Sequence, residues 1–492
     1  MKKQVVVIGA GFAGLSAACY LAKAGYAVTV LEKNDQTGGR ARRYSSKGFT
    51  FDMGPSWYWM PDVFDAFFKD FGKKTSDYYT LKRLDPSYRV VFDGGETVDV
   101  PADWQGMRNL FESIEAGSAK QLDRFMAEAE YKYEVGMQDL VFKPGLSLTE
   151  FMDKRVISGL FKLHLIESFS TYIRKYFSNP KLIQLLEFPV LFLGARPQEI
   201  PALYSLMNYA DIKLGTWYPV GGMHEIVKAM TSLALELGVS IQLNVPVEKI
   251  RTQNGQALGV ETAHGYYPAD VVVGGADYHH VEQHLLPEAD RQYSEAYWNK
   301  RVMAPSSILY YLGVNKSLKK LLHHNLFFDA DFNQHAHDIY TKPNWPEKPL
   351  FYASVTTKTE ELGAPEGSEN LFILIPTAPG LAETPDICEH YYQLVMDRLE
   401  TYTGESIREH VVYRRDFAHN NFVTEYNAFK GNAYGLANTL MQTAILKPKM
   451  QSKKVKNLFY TGQLTVPGPG VPPSLISGKV VAQQIQKKFA NL

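Results

Sequence analysis

The stretch Gln4-Val5-Val6-Val7-Ile8-Gly9-Ala10-Gly11-Phe12-Ala13-Gly14 runs from a Val-rich segment straight into three spaced glycines. Gln4 to Ile8 reads as a buried strand. Leu15 to Ala24 carries the small and apolar residues of a helix packed on a sheet, and Gly25 stops it. Tyr26 to Leu31 is a second strand and ends at Glu32. Strand, glycine turn, helix, strand and terminal acid in this order predict a dinucleotide-binding unit. Gly9 permits the tight turn, Gly11 lets a pyrophosphate approach the backbone, and Gly14 lets helix and strand touch. The helix N-terminus offers free N–H groups and the positive end of the helix dipole to the phosphates. Glu32, with Lys33 beside it, is placed to accept hydrogen bonds from ribose hydroxyls.

Further along, Gly38-Gly39-Arg40-Ala41 clears space again and supplies a guanidinium for phosphate oxygens. Phe49 to Ser56 reads as a short strand closed by the Gly54-Pro55 turn. Trp217 to Met223 precedes a helix from His224 to Leu237 that Gly238 ends. Strands follow at Val239 to Leu243 and from Pro246 through Val247, with a hairpin at Asn254-Gly255 and a buried strand from Ala269 to Ala276. Asn457 to Gln463 is a strand running through Gly462, and Pro467 to Ser474 is a glycine- and proline-rich loop opening a helix from Leu475 to Lys488. Gly470 and Val471 thus stand where a helix start presents N–H groups to an electron-rich ligand. The expected fold is α/β: a discontinuous Rossmann-like domain from residues 1–80, 217–277 and 456–492, with an α+β substrate domain from 81–216 and 278–455.

The 492 residues hold 52 Lys+Arg against 52 Asp+Glu, so no excess of positive charge points to nucleic acid. Two cysteines exclude a disulfide framework or a Cys-rich metal site. No secretory signal and no uninterrupted apolar run of membrane-spanning length is read, so any membrane contact is expected to be peripheral. The 30 Tyr and 27 Phe are core material and also suit a large apolar ligand.

The acidic strand end followed by Gly38-Gly39-Arg40 resembles the glutathione-reductase-like flavoproteins. Gly48 to Ser56 is similar to a D-x-G segment of the amine oxidase and phytoene desaturase superfamily. Tyr204-Ser205-Leu206, Gly215 to Met223, Asn427 to Gly435 and the proline-rich loop extend the likeness. Over nearly its whole length the chain resembles bacterial carotenoid desaturases of the phytoene desaturase family. The resemblance implies non-covalent FAD, and Cys388 has no flavinylation context. It implies that FAD is held by Gly9, Gly11, Phe12, Ala13, Gly14, Glu32 and Lys33, by Gly39 and Arg40, and by Gly54, Pro55 and Ser56. Val247, Gly462, Gln463, Gly470 and Val471 complete that set.

The resemblance further implies a lipophilic polyene substrate, phytoene taken to lycopene being the first expectation. Desaturation of hydroxylated carotenoids at the 3,4 position and isomerisation stand beside it, because Trp57-Tyr58-Trp59-Met60 replaces the family's smaller aliphatic residues. Quinone or oxygen is the expected electron acceptor, and a cytoplasmic protein on the inner face of the cell membrane the expected location. A prenyl-binding escort protein without flavin chemistry is the reading from another class. It predicts a degraded cofactor motif, whereas the glycines, Glu32 and Arg40 are intact.

Glu150 matches a family position with an acidic residue near the flavin, and Ser147-x-x-Glu150 equally fits a helix capping box. His279, His280 and His284, with His323 and His324, lack the partners of a zinc site and read as core or solvated histidines. Apolar segments around Gly159 to Phe177 and Leu182 to Leu193 carry Lys162, Arg174, Lys175 and Lys181, which suits either a membrane face or a packed helix. Hydrogen bonds to a charged acceptor contribute about 1.5–3 kcal/mol. Glu32→Ala is therefore expected to weaken FAD binding roughly tenfold or more, measured as FAD retention on gel filtration.

Overall fold

The computed structural model describes residues 2–147, 150, 164, 167–191 and 193–489. Gln4–Ile8, Ala27–Leu31, Ser240–Gln242, Val271–Gly274 and Leu458–Tyr460 form a five-stranded sheet, parallel throughout. The opening strand lies at its centre, between Val271–Gly274 and Ala27–Leu31. Their buried valines leave no polar face, as a sheet covered on both sides requires. An antiparallel meander, Val247–Gln253, Gln256–Thr262 and Gly265–Pro268, rises beside it. Its first turn is Asn254-Gly255, both at positive φ.

Two helices begin earlier than the sequence suggests, each for a local reason. The first runs Phe12–Lys23, so the glycine turn is itself the first helical turn, with Gly11 as the extended N-cap. The last runs Val471–Phe489, with Pro472 and Pro473 in its first turn, where no N–H is needed. These two helices pack so closely that a Cβ on Gly478 would lie 2.5 Å from the Ser16 Cβ and 2.6 Å from the Ala13 carbonyl oxygen.

The second sheet has seven strands in the order Val411–Phe417, Ser306–Val314, Glu369–Thr377, Phe351–Val355, His324–Phe328, Tyr88–Phe92 and Thr97–Val100. All pairs are antiparallel except Tyr88–Phe92 beside His324–Phe328. One face buries Tyr310, Leu312, Phe327, Ala353 and Ile373 in a cluster with the helix Ile387–Thr403. Along each strand the alternate residues point the other way. Leu309, Leu374, Tyr352 and Leu326 pair in register across four strands and make one row of that second face. The helices Pro180–Leu191 and Phe332–Tyr340 bring Phe188, Leu191, Phe332 and Ile339 to the space this row borders. Among the described residues no helix is long and apolar enough to cross a membrane.

Candidate functional site: a dinucleotide cleft opening into an apolar arm

The strand Gln4–Ile8 ends at Gly9, whose φ of +98° turns the chain back toward the helix. Leu15 N–H is the first to bond within the helix, to Gly11, so the N–H groups of Phe12, Ala13 and Gly14 have no partner within the helix. A Cβ on Gly11 would meet nothing within 4 Å, so the space in front of that helix start is open. A Cβ on Gly14 would fall 2.1 Å from the Gly9 carbonyl oxygen, so Gly14 lies behind the turn and sets the contact of helix and strand.

Glu32 is 4% exposed at the end of Ala27–Leu31. Its carboxylate accepts the Ala10 N–H at 2.8 Å and the Asn34 N–H at 2.9 Å, one on each oxygen, leaving lone pairs for a ligand. Lys33 Nζ donates to the Thr424 carbonyl and the Asn427 side chain, and burial lowers its pKa. Gly38 N–H donates to the Ala10 carbonyl at 2.8 Å and latches the Gly38-Gly39-Arg40 turn onto the glycine turn. Arg40 donates to the Asn432 carbonyl, while its Nε is buried with no partner. Burial lowers the Arg40 pKa and raises that of Asp277, and the two charges oppose these shifts in each other. Gly54 packs on Arg40, since a Cβ there would lie 2.4 Å from the Arg40 carbonyl oxygen.

One cavity of about 810 Å³ joins these parts. Gly9, Gly11, Phe12, Ala13, Glu32, Lys33, Gly39 and Arg40 line it, as do Gly54, Pro55, Ser56, Val247, Gly462, Gln463, Gly470 and Val471. Gly462 is held by the Ser477 hydroxyl, which accepts its N–H at 2.9 Å, and Gly470 sits at φ +113° before the last helix. The same cavity continues as an apolar arm over the Leu309–Leu374–Tyr352–Leu326 row. Trp57 and Trp59 stand in its wall, 5.3 Å apart between ring centroids. The long groove fits a dinucleotide and its ring system: open space before a helix start, a buried acid with free lone pairs, and an arginine with an unpartnered Nε.

Glu150 lies elsewhere. Its carboxylate accepts the N–H groups of Gly145 at 3.0 Å and Leu146 at 3.2 Å, and it is not among the residues lining the cavity. Thr149 lies outside the described residues. Among the described residues no cluster of three or more His, Cys, Asp or Glu could hold a metal. His279 stacks on Phe429 with centroids 4.0 Å apart, and His323 and His324 are buried. Arg174, Lys175 and Lys181 pair with Glu187, Glu167 and Glu96 and stay partly exposed. Lys162 lies outside the described residues.

Sequence reasoning did not reach Asp277, Glu425, Tyr426 or Tyr352, all in the wall of the cavity. Asp277 directly follows the Gly274-Gly275-Ala276 strand end, the position where a parallel sheet usually delivers ligand contacts. Tyr352 lies in a short strand, Phe351–Val355, that is buried throughout, and gives no signal in sequence.

A Rossmann-like sheet, open space before a helix start and an attached apolar arm fit an FAD-dependent oxidoreductase. Comparison with known proteins agrees. The model for flavin containing amine oxidoreductase matches residues 12–486. The carotenoid 3,4-desaturase of Haloarcula japonica is 42% identical over 491 residues, covering 99% of each chain. The zeta-carotene-forming phytoene desaturase of Myxococcus xanthus is 33% identical over 491 residues, covering 98% of this chain and 94% of the other. Among solved structures, an oxidoreductase from Methanosarcina mazei superposes with a TM-score of 0.65 at 17% identity, covering 98% of this chain and 100% of that one. A putrescine oxidase gives 0.63 at 14%, covering 99% of each. The chain belongs to the flavin containing amine oxidoreductase family, in its carotenoid desaturase branch, and its cofactor is FAD.

The two glycines separate binding from folding. Gly11→Val projects into open space at an ordinary φ of −75° and is expected to fold with nearly unchanged melting temperature. Its side chain fills the pyrophosphate approach, so FAD affinity should fall by about 100-fold or more, on the scale of two lost charge-assisted hydrogen bonds. Gly14→Val drives a side chain into the Gly9 carbonyl and should lower the melting temperature itself. Thermal unfolding and fluorescence titration with FAD, run on both variants, check the contrast.

Proposed function

We propose that this protein desaturates a C40 carotenoid at the 3,4 position, near one end of the polyene. The observation that carries the reading is the 42% identity to a carotenoid 3,4-desaturase over 99% of both chains, against 33% for a phytoene desaturase. The apolar arm supports it. Its wall of Leu, Phe, Trp and Ile side chains offers a hydrocarbon chain contact without hydrogen bonds to fill.

FAD, when bound, supplies the two-electron acceptor that a bond without acidic hydrogens demands. The protein's own part is positional. Gly9 to Gly14, Glu32 and Arg40 would hold the nucleotide, and Gly470 and Val471 would present N–H groups to its ring system. The apolar arm disfavours water and would fix which carbon pair lies against the cleft. Quinone or oxygen is the acceptor we assign, since the sequence carries one dinucleotide unit.

We place the protein on a membrane surface, where such a substrate dissolves. Exposed apolar side chains support this: Met441 is 75% exposed, Leu146 57%, Val302 45% and Leu446 44%. They share one neighbourhood, because Lys449 Nζ donates to the Gly145 carbonyl and Val302 exchanges two hydrogen bonds with Gln442. The Asn438 N–H ties this loop to Leu193, in the wall of the arm.

Expression in cells accumulating single carotenoids tests the reaction. A product two hydrogens lighter, with longer-wavelength absorbance, is expected from lycopene or a hydroxylated derivative. Conversion of phytoene instead would return the reading to phytoene desaturation, and a flavoprotein that alters no polyene would end it. Liposome flotation tests the location. The wild type should float, and Leu146→Asp with Met441→Asp should shift most of it to the soluble fraction.

A further inference from the structure

The sheet face that borders the apolar arm continues beyond it. In the next register row His324 pairs with Ser354, and Ser354 with Phe372. There a second cavity of about 340 Å³ opens, with Ser354, Thr356, Asp52 and Glu360 in its wall. Ser56 lines both cavities, so the segment after the Gly54-Pro55 turn is the partition between them.

Tyr352 stands at that partition. It lines the arm, and its hydroxyl oxygen lies 2.5 Å from His324 Nδ1. His324 is fully buried, and the Trp57 indole lies flat on its ring, with centroids 4.2 Å apart and planes 8° from parallel. Burial holds the His324 pKa well below the usual histidine range, and neighbouring His323 adds to this. Burial also raises the Tyr352 pKa, with Ser354 and Ser56 beside the hydroxyl pulling the other way. Both groups are therefore neutral near pH 7, which makes the Tyr352 O–H the donor and Nδ1 the acceptor.

One atom of this pair is buried without a hydrogen-bond partner, His324 Nε2. Buried polar atoms left unpaired are rare and call for a reason. Other polar groups along the arm are committed at His335, Tyr340 and Glu425, while Ser307 Oγ and the Tyr426 hydroxyl are also unpartnered. His335 Nε2 donates to the Pro376 carbonyl at 2.9 Å, and its Nδ1 accepts the Leu350 N–H at 3.0 Å. The Tyr340 hydroxyl donates to the Leu191 carbonyl at 2.9 Å. Glu425 is ion-paired with Arg42 and Arg415.

We propose that Tyr352 is the catalytic group that takes the proton from the polyene, with His324 as the base behind it and the second cavity as the proton's way out. This rests on the desaturase reading above. A –CH2–CH2– unit becoming –CH=CH– loses one hydrogen with its electron pair, as hydride to the bound cofactor, and the other as a proton. The electron pair of the second C–H bond becomes the new π bond. The Tyr352 oxygen takes that proton while its own hydroxyl proton passes to His324 Nδ1, leaving an imidazolium with N–H on both nitrogens. The return hop, Nδ1 to Tyr352 and on to Ser56 and the second cavity, restores the neutral pair. A weak base suffices, because a C–H beside a carbon that is losing hydride is strongly acidic. Low basicity then favours release over retention.

Tyr352→Phe and His324→Gln test this in the FAD-loaded protein, on a polyene that the wild type converts. Tyr352→Phe keeps the ring and its packing, so FAD retention and KM should stay within about threefold, while kcat falls by about 100-fold or more, the range of general acid–base catalysis. A solvent deuterium effect on kcat should be present in the wild type and absent from both variants. Nitrogen-15 spectra of histidine-labelled protein give a readout without turnover. The resonance missing from His324→Gln should be that of a neutral ring protonated on Nε2, and its Nδ1 signal should move in Tyr352→Phe. Full activity of Tyr352→Phe in a wild-type background that works, or a His324 ring charged or protonated on Nδ1 at pH 7, overturns the relay alone. A wild type that converts no polyene overturns the desaturase reading and the relay with it.

Discussion

The contact between the first helix and the backbone around it governs this molecule. Gly14 rests on the Gly9 carbonyl, Gly275 lies against the Gly14 Cα, and Gly478 of the last helix fits between Ser16 and Ala13. Three segments hundreds of residues apart meet at one helix because none of them carries a side chain at the meeting point. A single methyl group at Gly14 or Gly478 would push against backbone, which cannot rotate away as a side chain can. The helix start, the Glu32 carboxylate and the Gly38-Gly39-Arg40 turn inherit their positions from that fit. The cofactor cleft is thus a product of close packing first and of polar chemistry second.

The cleft was legible in sequence for the same reason. Glycines required by backbone contact leave a spacing that a reader sees, and Gln4 to Glu32 shows a whole strand–helix–strand unit within a short window. The helix starts were misjudged only where turn and helix are one object, at Phe12 and Val471. The arm was illegible. Leu309, Leu374, Tyr352 and Leu326 come from four strands, and each sits in a run that reads as ordinary buried strand. Which face of such a strand meets a cavity and which meets a helix depends on register, and register is a property of the assembled sheet. Glu150 shows the converse case: a short motif was visible, and the structure uses its carboxylate to hold two N–H groups of its own loop.

The apolar arm and the cleft ask different things of their walls. The cleft holds charges against partial burial, as the opposed shifts of Arg40 and Asp277 record. The arm holds its polar atoms neutral. Burial pushes His335 down to about 4, so this ring carries no charge that a hydrocarbon would have to desolvate. A neutral, dry wall next to an ionised cleft is the division of labour that a reaction between a charged cofactor and an uncharged chain requires.

The seven-stranded sheet also bears on how the chain reaches this state. Tyr88–Phe92 lies beside His324–Phe328, so a strand made early must wait for a partner more than two hundred residues downstream. The parallel sheet waits longer still, for Leu458–Tyr460. Neither half can finish as an independent unit while the polypeptide is being synthesised, and pairings of such separation are slow. For much of its synthesis the nascent chain therefore exposes valine-rich edges such as Val271–Gly274. Closure of the nucleotide groove accordingly needs residues that are among the last to be synthesised.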